Sequence, residues 1–363
     1  MSGTVLVAGA SGLVGAAAVD AFLEGGWQVT AVSRRRPEVD SDRPFRHLPL
    51  DLTDRDECGR ALRATGPVSH VVYAAVQERP GLVAGWRDRE LMELNRQMLA
   101  NVVDPLGDLG GLRHLSLLQG TKAYGAHLHR IPVPAREDAP RDPHENFYWL
   151  QEDLVRERAV AQGWSFTILR PQLIVGPNVG VVMNLPPIIG VYAALRRAEA
   201  QPFSFPGGVP YVWEAVDTRL VARVLLWAAD APAAAGETFN VTNGDVFSWR
   251  HLWPALADEL GVEVGPDEPL SLAEYLPARA EAWDGIVAAH GLRPLPMDAL
   301  VGESHHYADR CFAHGETTPR NPTFVSTVKL RQAGFGEAMH TEDTFRYWLN
   351  RLIERRILPP RGR

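Results

Sequence analysis

Cysteine and lysine are what this chain has least of. Two cysteines, Cys58 and Cys311, stand among 363 residues. They are too few for a disulfide scaffold and have neither the CxxC nor the Cys/His spacing of a metal site. The opening Met1-Ser2-Gly3-Thr4 lacks a basic stretch with a following cleavage site and runs straight into apolar residues, so a reducing, cytoplasmic setting is expected. Internal repeats and low-complexity tracts are missing. So is any excess of positive charge: 37 Lys+Arg against 44 Asp+Glu gives −7, which argues against nonspecific nucleic-acid binding. Lysine is scarcest of the bases, with only Lys122 and Lys329 in the chain. A position that keeps lysine against such a bias toward Arg is a candidate for chemistry that needs an amine.

What is present is ordinary globular material, 45% hydrophobic and 22% charged, which excludes disorder or coiled coil as the whole answer. Short apolar runs at Thr4–Ala8, Gln28–Val32, His47–Leu50, His70–Ala74 and His114–Leu118 read as strands, with helical spacing at Val14–Phe22 and around Asp88–Val103. Strands alternating with helices predict right-handed βαβ units and an α/β fold with a Rossmann-type doubly wound parallel sheet. The run from Pro171 to Leu195 carries no charge and matches a membrane span of ~20 residues in length. Pro177, Asn178, Asn184, Pro186 and Pro187 break it, so it reads as an apolar loop and short helix lining a pocket, with no membrane partner. Beyond it, Pro-rich stretches separate helices expected at Thr218–Asp230, Trp249–Leu260 and Ala273–His290, which suggests a smaller, mostly helical substrate-binding lobe.

Gly9-Ala10-Ser11-Gly12-Leu13-Val14-Gly15 fits GxxGxxG directly after a strand and at the mouth of a helix. Glycines there let the backbone turn tightly and approach a pyrophosphate, while the helix N-terminus offers N–H groups. The alternative is a tight βα turn with no ligand. Where an NAD site carries an acid, about 20 residues beyond the glycines, this chain has Ser33-Arg34-Arg35-Arg36. Guanidinium groups without a carboxylate suit a 2′-phosphate and favour NADP(H). Asp51-Leu52 is placed to meet the adenine edge, and Ala74-Ala75-Val76 is small enough to let the cofactor backbone pass. The expected division is residues 1–176 as the NADP-binding domain, with contributions from about 208–245, and 177–363 as mainly substrate-binding lobe and C-terminal helices.

A hydride acceptor needs a donor for the oxygen that gains charge, and a Tyr beside an ammonium suits that task. Tyr148 opens a helix, but four residues on stands Glu152, so the common YxxxK pattern fails. Lys122 follows the fifth strand, at the carboxyl edge where doubly wound sheets bind ligands. Taken singly, each has a bland alternative, a surface lysine and a half-buried helix tyrosine; together they read as the catalytic pair.

These residues also carry a resemblance. Gly9–Gly15, Val32-Ser33-Arg34-Arg35, Gly120-Thr121-Lys122, Asn146-Phe147-Tyr148 with Glu152-Asp153, Arg170-Pro171 with Ile174 and Gly176, Met183-Asn184 and Asn243-Gly244-Asp245-Val246-Phe247 together resemble the progesterone 5β-reductase/iridoid synthase-like enone reductases of the extended short-chain dehydrogenase superfamily. The resemblance implies NADPH-dependent 1,4-reduction of an activated C=C bond in a small apolar enone or enal by a monomer or homodimer. Tyr148 and Lys122 would hold the enone carbonyl oxygen. It carries cofactor contacts onto Ser11, Gly12, Leu13, Arg34, Arg35, Asp51, Leu52, Tyr148 and Ile174, with Val181, Val182 and Met183 near the nicotinamide end. Pro171, in a matching segment, and Gln119, one place after the position where the family often has Gln, join this set. Departures fall at Ala123 (His in the family), Leu118 (Gln) and Ala75-Val76 (Thr-Trp), and bear on substrate identity more than on reaction type.

Two rivals remain, a carbonyl reductase or epimerase of the same superfamily and a noncatalytic NADP-binding regulator. His127 and His129 read as a solvated loop without a metal set, His305-His306 as surface, and both cysteines as inert. Trp213, Tyr192, Phe203 and Phe205 suit a pocket wall or core packing equally.

Overall fold

Runs of four or five apolar residues, many β-branched, suit strands covered on both faces. In the computed structural model, which describes residues 3–78 and 88–362, the first six strands are β1 (Thr4–Ala8), β2 (Gln28–Val32), β3 (Arg46–Leu48), β4 (His70–Tyr73), β5 (His114–Leu118) and β6 (Ser165–Pro171), the last not expected from the sequence. With the strand Glu237–Val241 they form a seven-stranded sheet whose order runs from that strand through β6, β5, β4, β1 and β2 to β3. Every pairing in it is parallel. The order reverses between β1 and β4, which is where a doubly wound sheet opens a crevice at its carboxyl edge. This is the predicted fold class.

Helices α1 (Leu13–Glu24), α2 (Arg55–Arg63), α3 (Arg89–Leu109) and α4 (Phe147–Gln162) connect these strands. Leu6, Val71, Tyr73, Leu99, Val102, Leu115, Leu117, Val155 and Ile168 share one buried core. Helix α2 buries only Cys58 and Leu62 and is capped by Asp54, whose carboxylate accepts from Glu57 N–H at 2.9 Å.

The chain forms two compact units. The first comprises Met1–Gln172, Thr218–Thr242 and Thr323–Glu337; the second comprises Leu173–Asp217, Asn243–Pro322 and Ala338–Arg363. In the second, Pro186–Ala198 forms a helix with proline in its first turn, where a missing N–H costs nothing. Ile188, Ile189, Val191, Tyr192 and Leu195 are all buried there, so the uncharged run fills a protein core. Among the described residues no helix is long and apolar enough to cross a membrane. Tyr192, Phe203 and Phe205 also lie in this core, Phe203 stacked on Trp253 at 4.4 Å, and Trp213 packs at its margin.

Two expectations are corrected here. The helix read over Ala273–His290 is interrupted: Leu272–Tyr275 and Ala280–His290 are separated by a 3₁₀ turn at Pro277–Arg279, because Pro277 has no N–H to continue the ladder. His305 is buried, leaving only His306 exposed.

The Asn-Gly-Asp segment is structural. Asn243 Nδ2 donates to the Thr341 and Thr344 hydroxyls at 3.2 Å each. The Asp245 carboxylate accepts from Thr341 N–H at 2.9 Å and from its hydroxyl at 2.6 Å. These bonds fasten the start of the helix Thr341–Glu354. Cys58 and Cys311 are both buried, and burial pushes each thiol up to about 12.

Candidate active site

The glycine turn is shaped by close backbone approach. Gly9 has φ +79°, and a Cβ there would lie 2.6 Å from Ala75 N and 2.7 Å from the Ala74 carbonyl carbon. A Cβ on Gly15 would sit 2.1 Å from Gly9 O. Gly9 and Ala10 N–H both donate to Val32 O, at 3.0 and 3.1 Å, which ties the turn to the end of β2. Helix α1 then starts at Leu13 with Gly12 as its N-cap and no side-chain cap, so its first N–H groups face whatever fills the turn.

Beside it, Arg34, Arg35 and Arg36 are exposed. The Ser33 hydroxyl donates to Arg35 O at 2.6 Å and bends this loop, while Arg36 stacks over Phe45 at 4.4 Å. The Asp51 carboxylate accepts from Thr53 N–H at 2.9 Å and from its hydroxyl at 2.8 Å. Those bonds, the backbone one foremost, hold it below the usual range, and the nearby Arg34 adds to the effect. Arg34 and Asp51 thus share one corner, and Leu52 is fixed through its carbonyl by Asn101 Nδ2 at 2.8 Å. Glycine where backbone is approached, an uncapped helix end and exposed guanidiniums together fit a dinucleotide.

The proposed catalytic pair is built by one asparagine. Past β5, Gln119-Gly120 leads into a 3₁₀ turn, Thr121–Tyr124, which carries Lys122. Helix α4 begins at Phe147 with Asn146 as N-cap, its Oδ1 accepting from Tyr148 N–H at 3.1 Å. The same amide donates through Nδ2 to Lys122 O at 3.3 Å. The Tyr148 hydroxyl stands over the end of β5, 3.3 Å from where a Gly120 Cβ would be, and Pro171 O lies 3.7 Å from that point.

A third ionisable group joins them. Glu78 ends the described segment after β4, whose Gln77 is clamped by Asn95 of α3. Gln77 N–H donates to Asn95 Oδ1 at 2.8 Å, and Asn95 Nδ2 donates to Gln77 O at 2.9 Å. Burial raises the Glu78 carboxyl, and Lys122 opposes that shift. Burial also pushes the Tyr148 phenol well above its ordinary value, and the Glu78 charge pushes it further, against Arg170. The Glu78 carboxyl thus interacts electrostatically with both the Lys122 amine and the Tyr148 phenol. Tyr148 therefore stays protonated at neutral pH and serves as a hydrogen-bond donor.

Glu152, at the YxxxK lysine's position, is buried among cations. Its carboxylate pairs with Arg141 at 3.1 Å, Arg156 at 2.9 Å and Arg170 at 3.6 Å. Gln119 Nε2 donates to it at 3.3 Å and also to Tyr148 O at 3.3 Å, while Gln119 Oε1 accepts from Arg170 at 3.0 Å. Burial alone would raise the Glu152 carboxyl, but hydrogen bonds from Arg156 and Arg141 hold it lowered.

Of the residues carried over by resemblance, Ile174, Val181, Val182 and Met183 belong to the second unit. There Ser304 Oγ donates to Val181 O at 2.7 Å and accepts from Asn184 N–H at 3.0 Å, which fixes the half-buried 181–183 stretch. Sequence reading missed Glu78 and the part played by Asn146. An Asn two residues before a helix's second position is a capping signal, whereas nothing local marks Glu78. Among the described residues no cluster of His, Cys, Asp and Glu has the geometry to hold a metal.

The comparisons with known proteins agree with this architecture. The profile of the NAD dependent epimerase/dehydratase family matches residues 5–242. An (S)-8-oxocitronellyl enol synthase of Nepeta racemosa is 31% identical, over 98% of this chain and 91% of that protein. A 3-oxo-Delta(4,5)-steroid 5-beta-reductase of Arabidopsis thaliana is 32% identical, over 82% of this chain and 80% of that protein. Among solved structures, the UDP-glucose 4-epimerase of Thermotoga maritima superposes with a TM-score of 0.68 at 16% identity, covering 97% of this chain and 99% of that one; at that identity the likeness shows the fold alone. The chain therefore belongs to the NAD dependent epimerase/dehydratase family and, within it, to the progesterone 5β-reductase/iridoid synthase-like branch of oxidoreductases.

Proposed function

We propose that this chain is an NADPH-dependent reductase of activated C=C bonds, acting on small apolar enones or enals by 1,4-addition. The observation that carries the reading is the single Asn146 amide that ties Lys122 to Tyr148, with the phenol kept protonated by burial and by Glu78. Arg34 and Arg35 hold the 2′-phosphate, and the Gly9–Gly15 turn with the α1 N-terminus holds the pyrophosphate. When bound there, the reduced nicotinamide supplies the hydride. The Tyr148 hydroxyl and the Lys122 ammonium donate to the carbonyl oxygen as it gains negative charge, which lowers the barrier to attack at the β-carbon. The names of the relatives, an oxocitronellyl enol synthase and a steroid 5-beta-reductase, support this class of substrate. The cationic setting of Glu152 speaks against a YxxxK proton relay, and with it against carbonyl reduction or epimerisation.

The test is NADPH and NADH consumption with 2-cyclohexenone, citral-like dialdehydes and steroid enones, with products identified. Saturated ketone or aldehyde with preference for NADPH is the expected result; allylic alcohol overturns the reading. Tyr148→Phe and Lys122→Ala should each lower kcat roughly a hundredfold, the cost of losing one oxyanion donor, while NADPH still binds. Unchanged turnover in both variants would point to the noncatalytic alternative.

A further inference from the structure

The Asn146 amide that joins Lys122 to Tyr148 is itself held, and what holds it can change protonation state. His144 Nε2 lies 3.1 Å from Asn146 Nδ2, and His144 Nδ1 lies 2.5 Å from Asp142 Oδ1. The other Asp142 oxygen meets His129 Nε2 at 2.7 Å. Asp142 and His144 are largely covered, with side chains 14% and 11% exposed, whereas the His129 side chain is 49% exposed. His129 lies in a solvated loop, as expected, and its ring in addition bonds Asp142.

Donor and acceptor roles along this chain are determined. Asn146 Oδ1 accepts from Tyr148 N–H, so Nδ2 is the atom that faces both Lys122 O and His144. An amide nitrogen only donates, so His144 Nε2 must be the unprotonated, accepting nitrogen. His144 Nδ1 then carries the proton and donates to Asp142. Burial would raise the Asp142 carboxyl, but the His144 and His129 hydrogen bonds hold it lowered, so it is ionised and accepts. A second proton on His144 would turn Nε2 into a donor aimed at another donor. The amide cannot resolve that by flipping, because its NH₂ would then face Tyr148 N–H. Protonated His144 and the observed Asn146 bridge are incompatible.

Resting on the functional reading above, we propose that neutral His144, oriented by Asp142, is the positioning residue for Lys122 and Tyr148, and that its protonation releases them. Other titratable and charged groups around it are His127, whose ring meets the His144 ring at 5.3 Å, and Arg141, which lies over Trp149 at 5.1 Å and pairs with Glu152 and Asp153. Glu145, next along the chain, pairs with Arg89.

The experiment compares wild type with His144→Leu and His144→Gln across pH. Leu cannot accept from Asn146, so kcat should fall about tenfold, the scale of a small misplacement of reacting groups, with NADPH affinity unchanged. Gln offers an accepting oxygen that does not titrate; it should recover most of that loss and abolish the acid limb of the wild-type rate profile. An activity-independent readout uses the chain's scarcity of lysine. Lysine isotopically labelled at Cε gives two NMR signals, and Lys122→Arg identifies one of them. The Lys122 signal should move further on acidification in wild type than in His144→Gln, where only the movement due to Glu78 is left. Equal rate profiles in wild type and both variants, or identical Lys122 titrations in wild type and His144→Gln, would overturn the proposal. If wild type reduces no enone, the functional reading fails on its own, and the Lys122 titration still decides whether His144 supports that residue.

Discussion

Glu152 occupies the place where a YxxxK enzyme needs lysine, and its surroundings explain why lysine is not found there. Three guanidinium groups and the Gln119 amide converge on a carboxylate whose side chain is 5% exposed. Glu152→Lys, which restores the common motif on paper, would bury a fourth cation among arginines. It should cost at least about 3 kcal/mol and give no gain in activity, as measured by urea denaturation and turnover. Glu78 makes a converse prediction. Its charge helps to keep the Tyr148 phenol protonated, so Glu78→Gln should ease ionisation and move the alkaline limb of the pH–rate profile to lower pH. An unmoved alkaline limb would show that Glu78 does not act on the phenol during turnover. Gly120→Ala tests the space above β5: φ of −172° suits any residue, so folding should survive, while a methyl 3.3 Å from the Tyr148 hydroxyl crowds it. Lower kcat with a nearly unchanged melting temperature is expected.

Among the elements, those legible in the sequence were the ones whose pattern is local. β1, β2 and β5 appear over the residues expected, because apolar runs of that length suit a sheet buried on both faces. The nine residues of α2 were not foreseen, since only Cys58 and Leu62 are buried and most of the rest is charged. The site divides in the same way. The glycine turn is a contiguous motif with its own mechanics, whereas Glu78, Lys122 and Tyr148 come from separate connections and meet only because the sheet sets β4 beside β5. The C-terminal helix offers a stability test at this scale. Asp245 caps Thr341–Glu354 from a distant segment, so Asp245→Ala should lower stability by about 1 kcal/mol, as lost caps do. Thermal unfolding measures this, and NADPH affinity should not change.

Across the molecule, acid should act on the amino-terminal side of the sheet as well as on the candidate site. His70 and His114 begin β4 and β5, their rings 6.2 Å apart. Each is lowered chiefly by burial, His114 to about 4. A base whose folded pKa lies below its unfolded value binds fewer protons when folded, so stability is complete above about 6.5 and declines as pH falls toward 4. For His114 that loss reaches about 3 kcal/mol at the lower end, and His114→Phe should flatten the slope in urea titrations between those pH values. Both cysteines of the chain are enclosed, with thiols too basic to react near neutrality. A cysteine introduced at Val160, a position on α4 that is 87% exposed, would then be the one site open to a maleimide dye, and fluorescent probes could be attached without first removing a native residue.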